Sequence, residues 1–290
     1  MLLGALEAGG TKMVCAIGDE NLRLLEKISI PTTDPETTMA EIIRFYKDKK
    51  IAALGVGAFG PIDLKESSES YGSILDSPKL LWRHYPLRRR LVESLGIPIG
   101  LDTDVNAACL GEVTKGCAGG HDPVVYITIG TGIGAGLYVN GRLLHGMLHP
   151  EAGHIYLKKH PEDHYNGNCH YHKNCFESLA AGTAIQKRWG RSAVELDGCK
   201  EVWELESYYI AQALVDYIMI LSPEIIILGG GVMNQRQLFP LIREKVNELM
   251  GDYLNTRQLA NLDQYIVPAS LQGDQGIVGC LQLAKQCLEK

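Results

Sequence analysis

VVYITIGTGIGAGLYVNGR, residues 124–142, reads as a strand, a turn of glycine and threonine, and a second strand running into an Asn-Gly hairpin signal. The opening of the chain has the same design. LLGALEAGGTKMVCAIG, residues 2–18, is again strand, glycine turn, strand, with LEKIS at 25–29 as a third strand beside them. Each opening is followed by alternating helices and strands, so the pattern predicts a duplicated α/β architecture. The expected division is 1–116 and 117–290, with the glycine-rich polar stretch KGCAGGHDP at 115–123 as a hinge and the final helix packing back on the first domain.

Outward from these turns, Asp34 and Pro35 mark a helix start, with Asp34 as N-cap and the helix running to about Lys49. IAALGVGAFG is a buried strand, Leu87 to Leu95 a short helix, IPIGLDTD a strand ending in acids, and Asn106 to Lys115 a helix. The second half predicts a helix from Ser178 to Arg188, a longer one over Val202 to Leu221, the strand EIIILGGG, a helix from Leu238 to Met250, the strand YIVPAS, and a last helix from Gly276.

Composition excludes several classes. A chain of 290 residues that is 46% hydrophobic can bury a large core. A net charge of -6, with no basic run longer than Arg88 to Arg90, offers no footprint for nucleic acid or an anionic membrane. MLLGALEAGG lacks a basic leader and breaks its apolar run at Glu7, so the expected location is the cytoplasm. There, eight cysteines are better read as reduced thiols plus a metal site than as disulfides. Cys15, Cys109 and Cys280 lie in apolar surroundings and read as plain core.

Backbone amides in a glycine turn form a concave nest that can hold a phosphate. Taken singly, such a turn is more often a chain reversal, but a pair opening both halves is a phosphate signal. Gly9, Gly10, Thr11 and Lys12 form the first candidate, and Gly130, Thr131 and Gly132 the second. Neither has the Walker A spacing, and GTGIGAG continues into a strand, which excludes a dinucleotide fingerprint. Asp104 stands at a strand end just before a helix, where α/β proteins present groups to a crevice. It could serve there as general base or as the helix N-cap, and Asp102 is its local rival. NCHYHKNCFES at 168–178 spaces Cys169, His172 and Cys175 like a zinc site short of one ligand. Seven of the nine histidines lie between His145 and His172, so His160, His164 and His170 compete for that place with a solvated loop as the plain alternative.

EAGGTK at 7–12, DTDVNAACLGE at 102–112, ITIGTGIGAG at 127–136, EAGH at 151–154 and CHYHKNCFE at 169–177 resemble, in order, the motifs of the ROK family of sugar kinases. GAFGPIDL at 57–64 and ILDSPKLLWRHYPL at 74–87 resemble its fructokinase branch. The resemblance implies an actin-like ATPase (ribonuclease H-like) fold, with two α/β domains and a cleft for nucleotide. It implies ATP-dependent phosphorylation of a hexose, fructose first, with Asp104 as the catalytic base. The cofactors implied are ATP, Mg²⁺ and a structural Zn²⁺. The two glycine turns would hold phosphates, and Gly182, Thr183, Gly230 and Gly231 the adenosine side. Thr103, Asp104, Glu151, His154 and Glu177 would contact the sugar, and His154 would complete the zinc set of Cys169, His172 and Cys175. Two positions depart from the pattern: Thr103 stands where Asn is frequent and Glu7 where Asp is frequent. A transcriptional regulator or sugar sensor of the same family is the alternative function, though no DNA-binding segment precedes Gly9. A homodimer is left open.

Overall fold

The structure is a computed structural model and describes residues 1–289. In the first half, β1 (Leu2–Ala8), β2 (Lys12–Asp19) and β3 (Leu24–Pro31) form an antiparallel meander. After α1 (Pro35–Tyr46) the chain returns as β4 (Leu54–Ala58), parallel to β1. After α2 (Leu87–Leu95) it returns as β5 (Ile99–Thr103), parallel to β4, and continues into α3 (Asp104–Lys115). The sheet order is β3-β2-β1-β4-β5.

The second half repeats the plan. β6 (Val124–Ile129), β7 (Ile133–Val139) and β8 (Arg142–Leu143) come first, then α4 (Phe176–Ala180), α5 (Gly182–Trp189) and α6 (Lys200–Leu221). β9 (Ile225–Gly229) runs parallel to β6. It is followed by α7 (Leu238–Met250), α8 (Leu262–Tyr265) and β10 (Ile266–Pro268), which is parallel to β9. This sheet has the order β10-β9-β6-β7-β8. Counted within its own half, each sheet reads third, second, first, fourth, fifth, with the second strand antiparallel to the first. That is the duplication the two glycine turns predict, in the actin-like arrangement the family resemblance implies.

The chain forms two compact units, and neither is one continuous span. The first takes Met1–Gly119, Leu143–Pro150 and the segment from Ser270 onward, which carries α9 (Gln275–Gln286). The second takes Gly120–Arg142 and Glu151–Ala269. The sequence expectation of two spans, 1–116 and 117–290, with the final helix packing back on the first, differs from this in Leu143–Pro150, which belongs to the first unit.

Local chemistry accounts for most boundaries. Asp34 caps α1, its carboxylate accepting the Thr37 N–H at 2.9 Å, and Pro35 takes the first helical position. Asn140 and Gly141 turn β7 into β8 with φ values of 54° and 76°, and Asp122 accepts both of their N–H groups. β4, of sequence LGVGA, puts Leu54, Val56 and Ala58 into one core with Met13, Met39 and Ile42. Its other face is bare. A Cβ on Gly55 would lie 2.7 Å from the Ala284 nitrogen, and one on Gly57 3.1 Å from Cys280 Sγ, so only glycine lets α9 lie directly on the strand. Cys15, Cys109 and Cys280 are buried core residues, as expected, and all eight cysteines are free thiols.

One predicted helix is two. The expected Ser178–Arg188 helix breaks at Ala181, whose ψ of 155° is extended. Gly182 donates its N–H to Gly130 O at 2.7 Å instead of continuing the helical ladder, so the second glycine turn interrupts the helix.

Candidate functional site

The second glycine turn is held from three sides within its unit. Gly130 N–H donates to Gly132 O at 2.9 Å, closing the turn, and Gly182 N–H caps Gly130 O. Thr183 Oγ1 donates to Thr131 O at 2.8 Å and in turn accepts from Asn168 Nδ2 at 2.7 Å. Glu177 Oε2 accepts the Ile133 N–H at 3.0 Å. Gly230, at φ 89°, is packed on the Ile129 backbone just ahead of the turn. The structure therefore brings Gly130, Thr131, Gly132, Gly182, Thr183, Gly230 and Gly231 together at the C-terminal ends of β6 and β9. There, nothing lies within 4 Å of the place a Cβ would take at Gly130 or Gly231, so the backbone at both positions is open to the close approach of a ligand.

The first turn is similar in chemistry and differently braced. Gly9 N–H donates to Lys12 O at 3.1 Å, and a Cβ on Gly9 would stand 2.6 Å from that oxygen. Thr32 clamps the turn from β3's end, its hydroxyl donating to Gly9 O at 2.8 Å and its N–H to Thr11 O at 3.0 Å. Thr11 and Lys12 are exposed. The place a Cβ would take on Gly10 is 3.1 Å from Lys79 Cε, so a second lysine stands over the turn. Sequence reading missed Lys79 as a turn residue, although it lies inside the quoted stretch 74–87. Glu7, just before the turn, has its carboxyl pushed above the usual range by burial, with Lys12 opposing the shift.

Asp104 is the first residue of α3, and Thr103 is the cap. Thr103 is 3% exposed and its hydroxyl accepts the Asn106 N–H at 3.1 Å. The capping alternative for Asp104 thus falls to its neighbour. Asp102, the rival base, is fully engaged: Oδ1 accepts from Thr103 N at 2.8 Å and Asn106 Nδ2 at 2.7 Å, and Oδ2 faces His145 Nε2 at 2.9 Å. A carboxylate so occupied is a structural anchor and a poor proton acceptor for a substrate.

In the second unit His154, Cys169, His172 and Cys175 offer ligand atoms all within 4.8 Å of one another. Cys169 Sγ lies 3.7 Å from His154 Nδ1 and 3.8 Å from His172 Nδ1, and Cys175 Sγ lies 3.5 Å from His154 Nδ1. Zn–S bonds of about 2.3 Å and Zn–N bonds of about 2.0–2.1 Å in a tetrahedron require edges of about 3.4–3.8 Å, the range in which these three S···N distances fall, so the donor set suits zinc in chemistry and spacing. Cys175 is positioned by a bridge between Tyr156 and Cys175 and by the start of α4. Burial pushes its thiol up to about 12, an environment a divalent cation would reverse. Among the competing histidines, His160 instead packs edge-on against Tyr208 at 5.0 Å and His170 against Tyr171 at 5.1 Å. His164 belongs to no group of potential ligands among the described residues.

Glu151 precedes the short turn Ala152–His154, and its carbonyl accepts the His154 N–H at 2.9 Å. Burial, then the nearby Glu177 carboxylate, raises the Glu151 carboxyl above its ordinary range. Glu177 therefore links three things in one unit: the glycine turn at Ile133, the field around Glu151, and the candidate metal ligand Cys175 two residues before it.

A model of the ROK family matches residues 3–287. The chain is 50% identical over 289 residues to a provisionally assigned fructokinase of Bacillus subtilis (strain 168), covering 99% of this chain and 97% of that one. It is 43% identical over 289 residues to the fructokinase of Pediococcus pentosaceus, covering 100% of this chain and 99% of that one. Among solved structures, the ROK hexokinase of Thermus thermophilus superposes with a TM-score of 0.80 at 26% identity, covering 100% of this chain and 99% of that one.

Proposed function

We infer that this chain, which belongs to the ROK family, transfers the γ-phosphoryl group of ATP to a hexose, with fructose as the preferred acceptor. The observation that carries the choice of fructose is its full-length similarity to the two fructokinases, at 50% and 43% identity. A regulator without turnover is not favoured by these relatives.

In this reading Asp104 accepts the proton of the attacking sugar hydroxyl, so that the oxygen gains nucleophilic character as its bond to phosphorus forms. It stands at the C-terminal end of β5, with Thr103 relieving it of the cap. Gly10, Thr11 and Lys12 in the turn that Gly9 closes, and Thr131 and Gly132 in the turn that Gly130 closes, give donors to phosphate oxygens, the Gly9 and Gly130 N–H groups being used within their own turns. Gly182, Thr183, Gly230 and Gly231 border the nucleoside. Mg²⁺, when bound with ATP, neutralises β- and γ-phosphate charge. Glu151, His154 and Glu177 accept and orient sugar hydroxyls, and Thr103 backs them through its backbone. His154 would bind Zn²⁺ through Nδ1 with Cys169, His172 and Cys175, leaving Nε2 for the sugar. Four protein ligands leave no open position, so the zinc role is structural. The proposed location is the cytoplasm, on the free thiols, and the proposed assembly a homodimer.

A coupled assay of ATP consumption against fructose, mannose, glucose and N-acetylmannosamine tests the reading. Fructose should give the highest kcat/KM and mannose the next. A higher value for glucose or N-acetylmannosamine overturns the fructose assignment.

A further inference from the structure

His145 comes from the segment after β8 that returns to the first unit, and it meets Asp102 at the end of β5. The Asp102 side chain is 5% exposed and that of His145 40% exposed, so a buried carboxylate holds a half-open imidazole by its Nε2 at 2.9 Å. The two ring nitrogens diverge. With Nε2 turned inward, Nδ1 lies on the opposite edge of the ring and has no partner among the described residues. The ionisable groups that face the ring are Asp102 from β5 and His149 from its own segment. The hydrogen bond from Asp102 raises the affinity of His145 for its second proton, so both ring N–H groups persist over a wider pH range than in a free imidazole.

We propose that His145 is a further residue of the acceptor site, its Nδ1–H donating a hydrogen bond to a hydroxyl oxygen of the hexose while Asp102 holds the ring. The inference rests on the reading of the chain as a hexose kinase. Sheet order assigns the contact to the sugar and not to the phosphates. β5 is two strands away from β1, which carries the first glycine turn, or about 10 Å at the usual strand spacing. Asp104, by contrast, follows Asp102 by two residues on the same strand end. The chemistry is complementary as well. An ionised Asp104 can only accept, a sugar hydroxyl both donates and accepts, and His145 supplies the donor. Asp102 is the positioning residue of the pair, because its oxygens touch Thr103, Asn106 and His145.

The test is His145→Gln, whose amide can still donate to Asp102 but has no second donor on the far side. The KM for fructose should rise about 10- to 100-fold, the loss expected for one hydrogen bond from a charged donor. The kcat should change by less than about threefold and the KM for ATP should stay put, since the lost contact is uniform ground-state binding. An unchanged fructose KM overturns the inference, as does a parallel rise in both KM values with a lowered Tm, the mark of a merely structural pair. If the variant does not fold, wild-type protein with ¹⁵N-labelled histidine decides: fructose alone should displace the His145 Nδ1 signal, and an unmoved signal in a chain that binds fructose overturns the contact. A wild-type chain that binds no hexose removes both this inference and the kinase reading. One that turns fructose over while His145→Gln keeps its KM removes this inference alone.

Discussion

An asparagine at position 104 would keep the shape of the side chain and its reach, and would lose only the capacity to take a proton. Because Thr103 caps α3, Asp104→Asn should leave Tm nearly unchanged and lower kcat by about 10²–10⁴-fold, with fructose affinity retained. Near-normal kcat would remove Asp104 as the base, and Asp102 is a poor replacement because both of its oxygens are occupied. A second residue carries a pH dependence. Glu206 on α6 is 1% exposed, its Oε1 has no partner among the described residues, and burial pushes its carboxyl well above the ordinary range while Arg188 opposes. The folded state thus holds this proton to a higher pH than the unfolded chain, whose pKa is about 4.3. The group's contribution to stability is fully present below that value and is lost as pH rises towards the folded pKa. Glu206→Gln stays neutral throughout, so its Tm minus that of wild type should grow as pH is raised from about 4.5. A flat or falling difference by calorimetry would contradict this. At this scale the sequence displays residue types at strand ends and in spaced clusters, which is why Asp104 and the Cys/His set are legible. It does not display which residue takes the cap, or that Asp102 meets a histidine 43 positions away, because both depend on tertiary placement.

Between α5's start and β8 the chain has little regular structure of its own. Residues 155–175 depend on the bridge at Tyr156–Cys175 and on side-chain anchors such as Asp163, which pairs with Arg188 at 3.1 Å and accepts from Tyr209 OH at 2.6 Å. A cation joining His154, Cys169, His172 and Cys175 would close this stretch, and its binding energy would count directly towards order in the segment. Cys175→Ser should drop zinc from about one per chain to well below stoichiometric. It should lower Tm by about 5 °C or more and open 155–175 to proteolysis. Full zinc content and unchanged protease resistance in that variant would exclude this ligand set. The elements were legible to different degrees. α2 and α7 match their expected bounds because apolar periodicity and a following glycine mark them, whereas the α4/α5 break has no local signal. It arises because Gly182 spends its N–H on Gly130, 52 residues earlier in the chain.

For the molecule as a whole, duplication is the legible part. Two strand–turn–strand openings were enough to anticipate two sheets of one plan, since the turn and the hairpin are local chemistry. The interleaving of the units was only partly legible, through the expected return of the last helix. α9 lies against β1, β4, β5 and α3, and its glycine-lined seat on β4 cannot be filled by anything bulkier than bare backbone. A chain ending at Gly273 should therefore lose the first unit's protection from proteolysis while residues 151–269 keep theirs. Equal protection of both would show that α9 is dispensable.

The seat of α9 also sets a timetable. A ribosome adding about 5–20 residues per second needs roughly 8–30 s to pass from the end of α3 to the start of α9. Through that interval β1, β4 and β5 wait with one face uncovered, and the second unit has received all of its strands before α9 is made. The half that is begun first is completed last, and its Gly55–Gly57 surface is the region a nascent-chain chaperone would have to shield.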